Sequence, residues 1–248
     1  MSPSASEPAA GLLEHEPGDL TAIVEADMPL AELQRLLARH RQRLSLDPPG
    51  APTLGECLLE DLSGPLRHRF GTIRDLVLGV TVVLGDGLRA SSGGKVVKNV
   101  AGFDLAKLFC GSRGRLGTVE RLALRLHPTP ESARTVAIDG SRWLELHRSQ
   151  LVPSAVDLHD GRLHVLFEGS PRSVERQLAA LGGEECDPWA ALRELQASLP
   201  GRERWDHADG GEVAPLVRPG PRIAYTERAP APWSPLAERI VEAMWTPS

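Results

Sequence analysis

Residues 76–84, LVLGVTVVL, are a nine-residue run with no charge in it. The run is far shorter than the roughly 20 residues of a membrane span, and its valine and threonine content argues for a strand rather than a helix. Gly85-Asp86-Gly87 follows, then Leu88-Arg89-Ala90, which predicts a hairpin. A strand this apolar must be covered by other elements. Leu20 to Ala26 and Thr118 to Leu126 read as companion strands. Pro29 to His40 reads as a covering helix, with Pro29 in its first turn and Leu30, Leu33, Leu36 and Leu37 on one face. Thr53 opens a second helix with Glu56 at capping-box spacing and Leu54, Cys57, Leu58 and Leu62 as its apolar side. Ser63-Gly64-Pro65 ends it. Between the helices, a short strand, Leu44 to Leu46, runs into the breaker Asp47-Pro48-Pro49-Gly50.

Three segments are expected: a disordered tail over 1–11, a first domain over 12–130 and a second α/β domain over 131–248. Pro128-Thr129-Pro130 marks the boundary between the two domains. The second part reads strand (133–138), helix (141–151), hairpin (155–158 with 163–168, turned at Asp160-Gly161) and helix (172–181). That order is close to a ferredoxin-like plait. A helix around 189–199, a Gly/Pro-rich passage to Pro221, a strand near 223–226 and a helix over 235–245 complete the reading.

The 248 residues carry 28 basic against 33 acidic side chains, a formal charge of −5. An acidic balance argues against a nucleic-acid partner. Cys57, Cys110 and Cys186 form no C-x-x-C pair, and the histidines show no H-x-x-x-H spacing, so no metal site is expected. No apolar run is long enough to span a membrane, and Met1 to Gly11 does not read as a signal peptide. The expectation is a cytoplasmic protein. Walker A, G-x-G-x-x-G and G-x-S-x-G motifs all fail: Gly111, Gly114 and Gly117 are spaced G-x-x-G-x-x-G.

One window stands out. Of the 28 basic residues only three are lysine, and Lys95, Lys98 and Lys107 fall within thirteen positions, together with Asn99, the one asparagine of the chain. Lysine and arginine are not interchangeable where a compact charge must fit. Two small-residue loops accompany the window, Thr53-Leu54-Gly55 and Gly111 to Gly117. Such loops let backbone approach a ligand and let successive N–H groups cradle a phosphate; ordinary turn and cap chemistry is the competing reading, and for Thr53 alone the stronger one.

Thr53-Leu54-Gly55, Ser63-Gly64-Pro65, Arg69-Phe70-Gly71, Arg74-Asp75-Leu76-Val77-Leu78-Gly79, Lys98-Asn99-Val100-Ala101-Gly102-Phe103-Asp104-Leu105 and Gly111-Ser112 with Leu116-Gly117 resemble the FAD-binding fold of the vanillyl-alcohol-oxidase type. Within it, GGKVVKNVAGFDLAKLF with the loop and LRLHP after it resembles the smaller FAD-type subunit of bacterial glycolate oxidase. The resemblance covers about residues 12–130. It implies an α+β chain: a FAD-binding domain without its first subdomain, followed by a ferredoxin-like cap. It also implies non-covalent FAD, oxidation of a small 2-hydroxy acid, partner flavin and iron–sulfur subunits, and a place at the inner membrane held through those partners. Carried over, Thr53, Leu54 and Gly55 would offer backbone to the pyrophosphate. Ser63, Gly64, Arg69 and Gly71 would line the flavin. Lys98, Asn99, Gly102 and Asp104 would form the wall beside the ring or ribityl chain, and Gly111, Ser112, Gly114, Gly117 and Thr118 would hold the ADP half.

The departures from that pattern are specific. Glu56 replaces a glycine, Arg113 replaces an acid and Asp61 replaces an asparagine, and the β-α-β-β unit with the first phosphate loop is absent from the match. A carboxylate beside a diphosphate is repulsive, although Arg113 offers Glu56 a partner. These changes keep a second reading open, a flavin-free structural subunit of the same kind of complex, and a third, a nucleotide-binding regulatory module built on the Gly111 loop. No catalytic base is assigned: His159, His164 and His207 lie in the second part, and nothing singles one out.

Overall fold

The computed structural model describes residues 11–93, 105–204 and 214–227. The chain opens with β1 (Leu12–Glu16) and β2 (Thr21–Glu25), followed by α1 (Leu30–Ala38) and β3 (Gln42–Arg43). Pro29 sits one residue ahead of α1 as its N-cap, and Leu30, Leu33, Leu36 and Leu37 are its buried face. Next come α2 (Leu54–Leu59), α3 (Arg67–Phe70) and α4 (Ile73–Leu76). The apolar run then gives β4 (Val77–Leu84), paired as a hairpin with β5 (Arg89–Gly93). Leu76 belongs to α4 rather than to the strand. Thr72 and Asp75 form a capping box that winds the chain for one turn first. After α5 (Leu105–Phe109), β6 (Gly117–Arg125) enters the sheet between β2 and β4. The result is a five-stranded antiparallel sheet ordered β1-β2-β6-β4-β5. Its core joins Val24, Leu33, Leu37, Leu54, Leu58, Ile73, Val82, Phe109 and Leu122 in one cluster. The His127-Pro128 stop is itself a short strand, β7 (His127–Pro128), laid against β3.

The second half runs β8 (Ser132–Asp139), α6 (Trp143–Arg148), β9 (Ala155–His159), β10 (Arg162–Gly169), α7 (Pro171–Leu181) and β11 (Glu184–Glu185). These strands lie in the order β11-β8-β10-β9, all antiparallel, which is the order of a ferredoxin-like plait. Then follow α8 (Trp189–Ser198), β12 (Gly201–Arg204), β13 (Leu216–Arg218) and β14 (Ile223–Thr226). The last three strands extend the sheet to seven, ending β9-β13-β14-β12. The sequence signals only the last of these three. β12 and β13 hide in a Gly/Pro-rich passage whose strands are three or four residues long. Ser141–Leu151 shortens to α6 because Ser149 turns the chain, its Oγ donating to Leu146 O and accepting from Leu151 N. The helix expected over 235–245 lies outside the described residues.

The two halves meet through polar contacts. Arg43 forks onto Glu168 with N–O distances of 2.7 and 2.6 Å. Gln196 Nε2 donates to Ser63 O at 2.8 Å, and Arg193 Nη1 lies 3.6 Å from Asp47 Oδ2. Burial pushes the Asp47 carboxyl up to about 7, opposed by the Leu66 N–H that it accepts and by Arg218 and Arg193; Asp157 adds repulsion. A carboxyl raised in the folded state binds its proton more tightly there than in the unfolded chain. Stability therefore falls as pH rises from about 4 to about 7, and levels off above. One fifth of the side chain still meets solvent, which screens the effect; we expect a loss of about 2 kcal/mol across that window. Urea denaturation of wild type and Asp47→Asn at stepped pH checks it: the variant loses that part of the slope.

Candidate functional site

The turn at Thr53 is closed by its own chain. Thr53 Oγ1 accepts from Glu56 N at 3.2 Å, and Glu56 Oε2 accepts from Thr53 N at 2.8 Å, which completes the expected capping box. Leu54 N donates to Met28 O at 3.0 Å and Gly55 N to Ala26 O at 2.7 Å. The four N–H groups that start α2 thus all have protein acceptors. Gly55 is small for a local reason: a Cβ there would stand 3.0 Å from Ala26 O.

The glycine loop docks on the other end of the same helix. Gly111 N donates to Leu58 O at 3.0 Å and Arg113 N to Leu59 O at 2.9 Å, satisfying carbonyls that the helix end leaves open. Ser112 N turns back to Phe109 O at 3.1 Å. Its Oγ is buried without a partner among the described residues. Gly114 has φ +72° and nothing within 4 Å of a would-be Cβ. Gly117, at φ +130°, lies against Val83 O, where a Cβ would come to 2.2 Å; Thr118 beside it is paired with Val83 in the sheet.

The cavity that this geometry leaves has a volume of about 550 Å³. Arg67, Arg74, Lys107, Arg113 and Arg202 line it together with Glu60, Asp61 and Asp75. Cations therefore exceed carboxylates on its wall. Asp75 is committed to the α4 capping box, accepting Thr72 N at 2.8 Å. Asp61 accepts Arg202 Nη2 at 2.9 Å and the Cys110 thiol at 3.4 Å. Glu60 stands 3.7 Å from Arg113 Nε. Burial pushes the Cys110 thiol up to about 12, with Asp61 adding to it, so this sulfur is a neutral donor and not a nucleophile.

Of the residues expected from sequence, Gly111 lines this cavity, with Ser112 beside it. Thr53, Leu54, Gly55 and Gly117 do not line it. Ser63 is buried and accepts Arg67 Nη1 at 2.8 Å, so it holds a lining arginine in place. Gly64 packs against the Asp47 backbone, and Gly71, at φ +79°, closes α3 against Asp75. Arg69 faces elsewhere, donating to Ser154 Oγ at 3.2 Å. Lys98, Asn99, Gly102 and Asp104 lie outside the described residues, between β5 and α5, and α5 contributes Lys107 to the cavity. His159 Nδ1 lies 2.7 Å from Pro215 O, and burial holds His164 below the ordinary imidazole range; neither lines the cavity. His207 is outside the described residues. Sequence reasoning missed Arg67, Arg74 and Arg202 as a group. The basic cluster over 67–74 was a readable signal for two of them, whereas Arg202 arrives on the unforeseen β12.

Residues 6–91 match the family model described as FAD binding domain. The chain is 33% identical over 205 residues to glycolate oxidase subunit GlcE of Escherichia coli strain K12, covering 77% of this chain and 59% of that protein. It is 33% identical over 186 residues to the mitochondrial D-lactate dehydrogenase [cytochrome] 1 of Saccharomyces cerevisiae, covering 74% of this chain and 31% of that one. The chain thus spans less than two thirds of the length of these relatives. Among solved structures, an alkyldihydroxyacetonephosphate synthase superposes with a TM-score of 0.59 at 17% identity, over 69% of this chain and 39% of that one. This last likeness speaks for the fold alone. The chain shares the α+β fold of that solved structure, and its segment 6–91 matches the FAD binding domain model.

Proposed function

We propose that this chain is the FAD-type subunit of a glycolate-oxidase-like complex that oxidises a small 2-hydroxy acid. The observation that carries the reading is the cation-rich cavity bordered by Gly111, Arg113, Arg67 and Arg74 in a chain whose 6–91 segment matches a FAD binding domain. The donor set suits the pyrophosphate of FAD: guanidinium groups fork onto phosphate oxygens, and a surplus of them attracts the anion. FAD, when bound, supplies the acceptor for the hydride of the substrate C–H. The chain supplies binding and exclusion of water. Ser63 holds Arg67 and Asp61 holds Arg202, so that the second half adds a cation to a cavity lined mostly by the first. In this reading residues 12–130 are the binding unit and 131–248 the cap. Flavin and iron–sulfur subunits are the partners, and the location is cytoplasmic, at the inner membrane only through them. Among the described residues no helix is long and apolar enough to cross a membrane.

One observation favours the second reading, a flavin-free structural subunit. The N–H groups at the start of α2 are all satisfied within the chain, and the Glu56 carboxylate stands at that turn. Anaerobic addition of glycolate or D-lactate to this chain, purified free of the partner flavin subunit, separates the two readings at the level of substrate. The proposal expects the visible flavin bands to bleach; bands unchanged by both acids contradict it.

A further inference from the structure

A second cavity, of about 540 Å³, opens on the far side of α3. Arg67 and Arg69 are two residues apart on that helix, so their side chains leave opposite sides of it. Arg67 goes to the first cavity and Arg69 to the second, and no residue lines both. The second cavity has an apolar floor of Leu151, Val152 and Ala180, with Val152 53% exposed.

Its polar wall is rich in donors, with Gln150 and Ser173 able both to donate and to accept. Glu168, the one carboxylate among its described lining residues, has both oxygens taken by Arg43, at 2.7 and 2.6 Å. Gln177 Oε1 accepts Val152 N at 2.8 Å, which fixes the amide and leaves its NH₂ to donate. Arg69 spends one N–H on Ser154 Oγ at 3.2 Å and keeps the rest of its fork. Arg176, one helical turn before Ala180 on α7, has no hydrogen-bond partner among the described residues.

We propose that this cavity binds a small monocarboxylate with a short apolar tail, at a site separate from the flavin cavity. Two guanidinium groups and an oriented amide are set around a space whose own carboxylate is already neutralised, so the ligand they complete is an acceptor carrying one negative charge. The floor of Leu151, Val152 and Ala180 takes the tail. A bare phosphate would give up its hydration to a floor that offers it nothing. Arg69 comes from the first half of the chain and the other lining residues from the second, so an occupant ties the halves together.

Calorimetric titration of the full chain with n-butyrate tests this, with butyramide and inorganic phosphate as comparison probes. Saturable one-to-one binding of butyrate is expected, with both other probes about tenfold weaker. Arg176→Glu and Val152→Asp, both at exposed positions, are expected to abolish butyrate binding with far-ultraviolet circular dichroism unchanged. No saturable binding of butyrate, equal binding by Arg176→Glu, or phosphate binding as tight as butyrate overturns the proposal. Neither variant touches the first cavity, so failure here leaves the flavin reading standing.

Discussion

Arg218→Met is expected to destabilise the chain by about 4 kcal/mol, the cost of leaving a buried carboxylate without its cation. Arg218 and Asp157 are both fully buried, with guanidinium-to-carboxylate distances of 3.0 to 3.3 Å. Further donors of Arg218 reach Tyr225 Oη at 2.5 Å and Gln196 Oε1 at 2.6 Å, and the guanidinium lies 4.8 Å from the Tyr225 ring centroid. Four of its five N–H groups are therefore committed. Methionine fills the volume, but it leaves Asp157 in the protein interior with no partner among these groups. The damage also reaches the cavity: Gln196 passes from Arg218 to Ser63 O, and Ser63 Oγ holds Arg67. Equilibrium urea denaturation of the full chain measures the loss. The double replacement Arg218→Met with Asp157→Leu removes both charges, and we expect it to recover most of the stability. A single variant within 1 kcal/mol of wild type would show that the pair is not buried as described.

Gly64→Ala is expected to cost about 3 kcal/mol, at the upper end of what overpacking usually costs. A Cβ on Gly64 would come 1.8 Å from Asp47 O and 2.4 Å from Asp47 C. Both are backbone atoms that no rotamer change can move aside. Relief requires the 44–47 segment to shift, and Asp47 Oδ1 is the acceptor of Leu66 N at 3.0 Å just beyond Gly64. The expected displacement runs through the start of α3, where Arg67 and Arg69 diverge to the two cavities. Gly18→Ala is the comparison, since nothing lies within 4 Å of its Cβ position; it is expected to stay within about 0.5 kcal/mol of wild type. Thermal and urea unfolding of the two variants side by side check the contrast.

Much of the fold was legible because its signals are local. The leucines of α1 at 3.6-residue spacing, the Thr53–Glu56 box, the β4 run with its Gly-rich turn and the Asp160-Gly161 hairpin all specify their elements within a few residues. Leu76 was misread because a capping box that starts four residues earlier, at Thr72, overrode its β context. β12 and β13 were not legible. Strands of three or four residues gain their stability from pairing partners distant in the chain, and Gly/Pro content masks what periodicity they have. The site divides along the same line. Loop glycines are visible in sequence, but the use of their N–H groups is not, since Gly55 N pairs with Ala26 and Gly111 N with Leu58. The cavity cations are gathered from α3, α4, α5, the Gly111 loop and β12, a set that only tertiary structure assembles.

Whether the first cavity holds flavin is best measured as moles of flavin released per mole of chain, for the chain alone and co-purified with its partner subunits. The comparison is wild type against Arg74→Glu, which reverses one exposed lining charge without touching the core. We expect one flavin per copy of this chain in the wild type, counted beyond any held by the partner flavin subunit, and about a tenfold fall of that flavin in the variant. Wild-type preparations without flavin, or a variant that retains as much as wild type, would contradict the account.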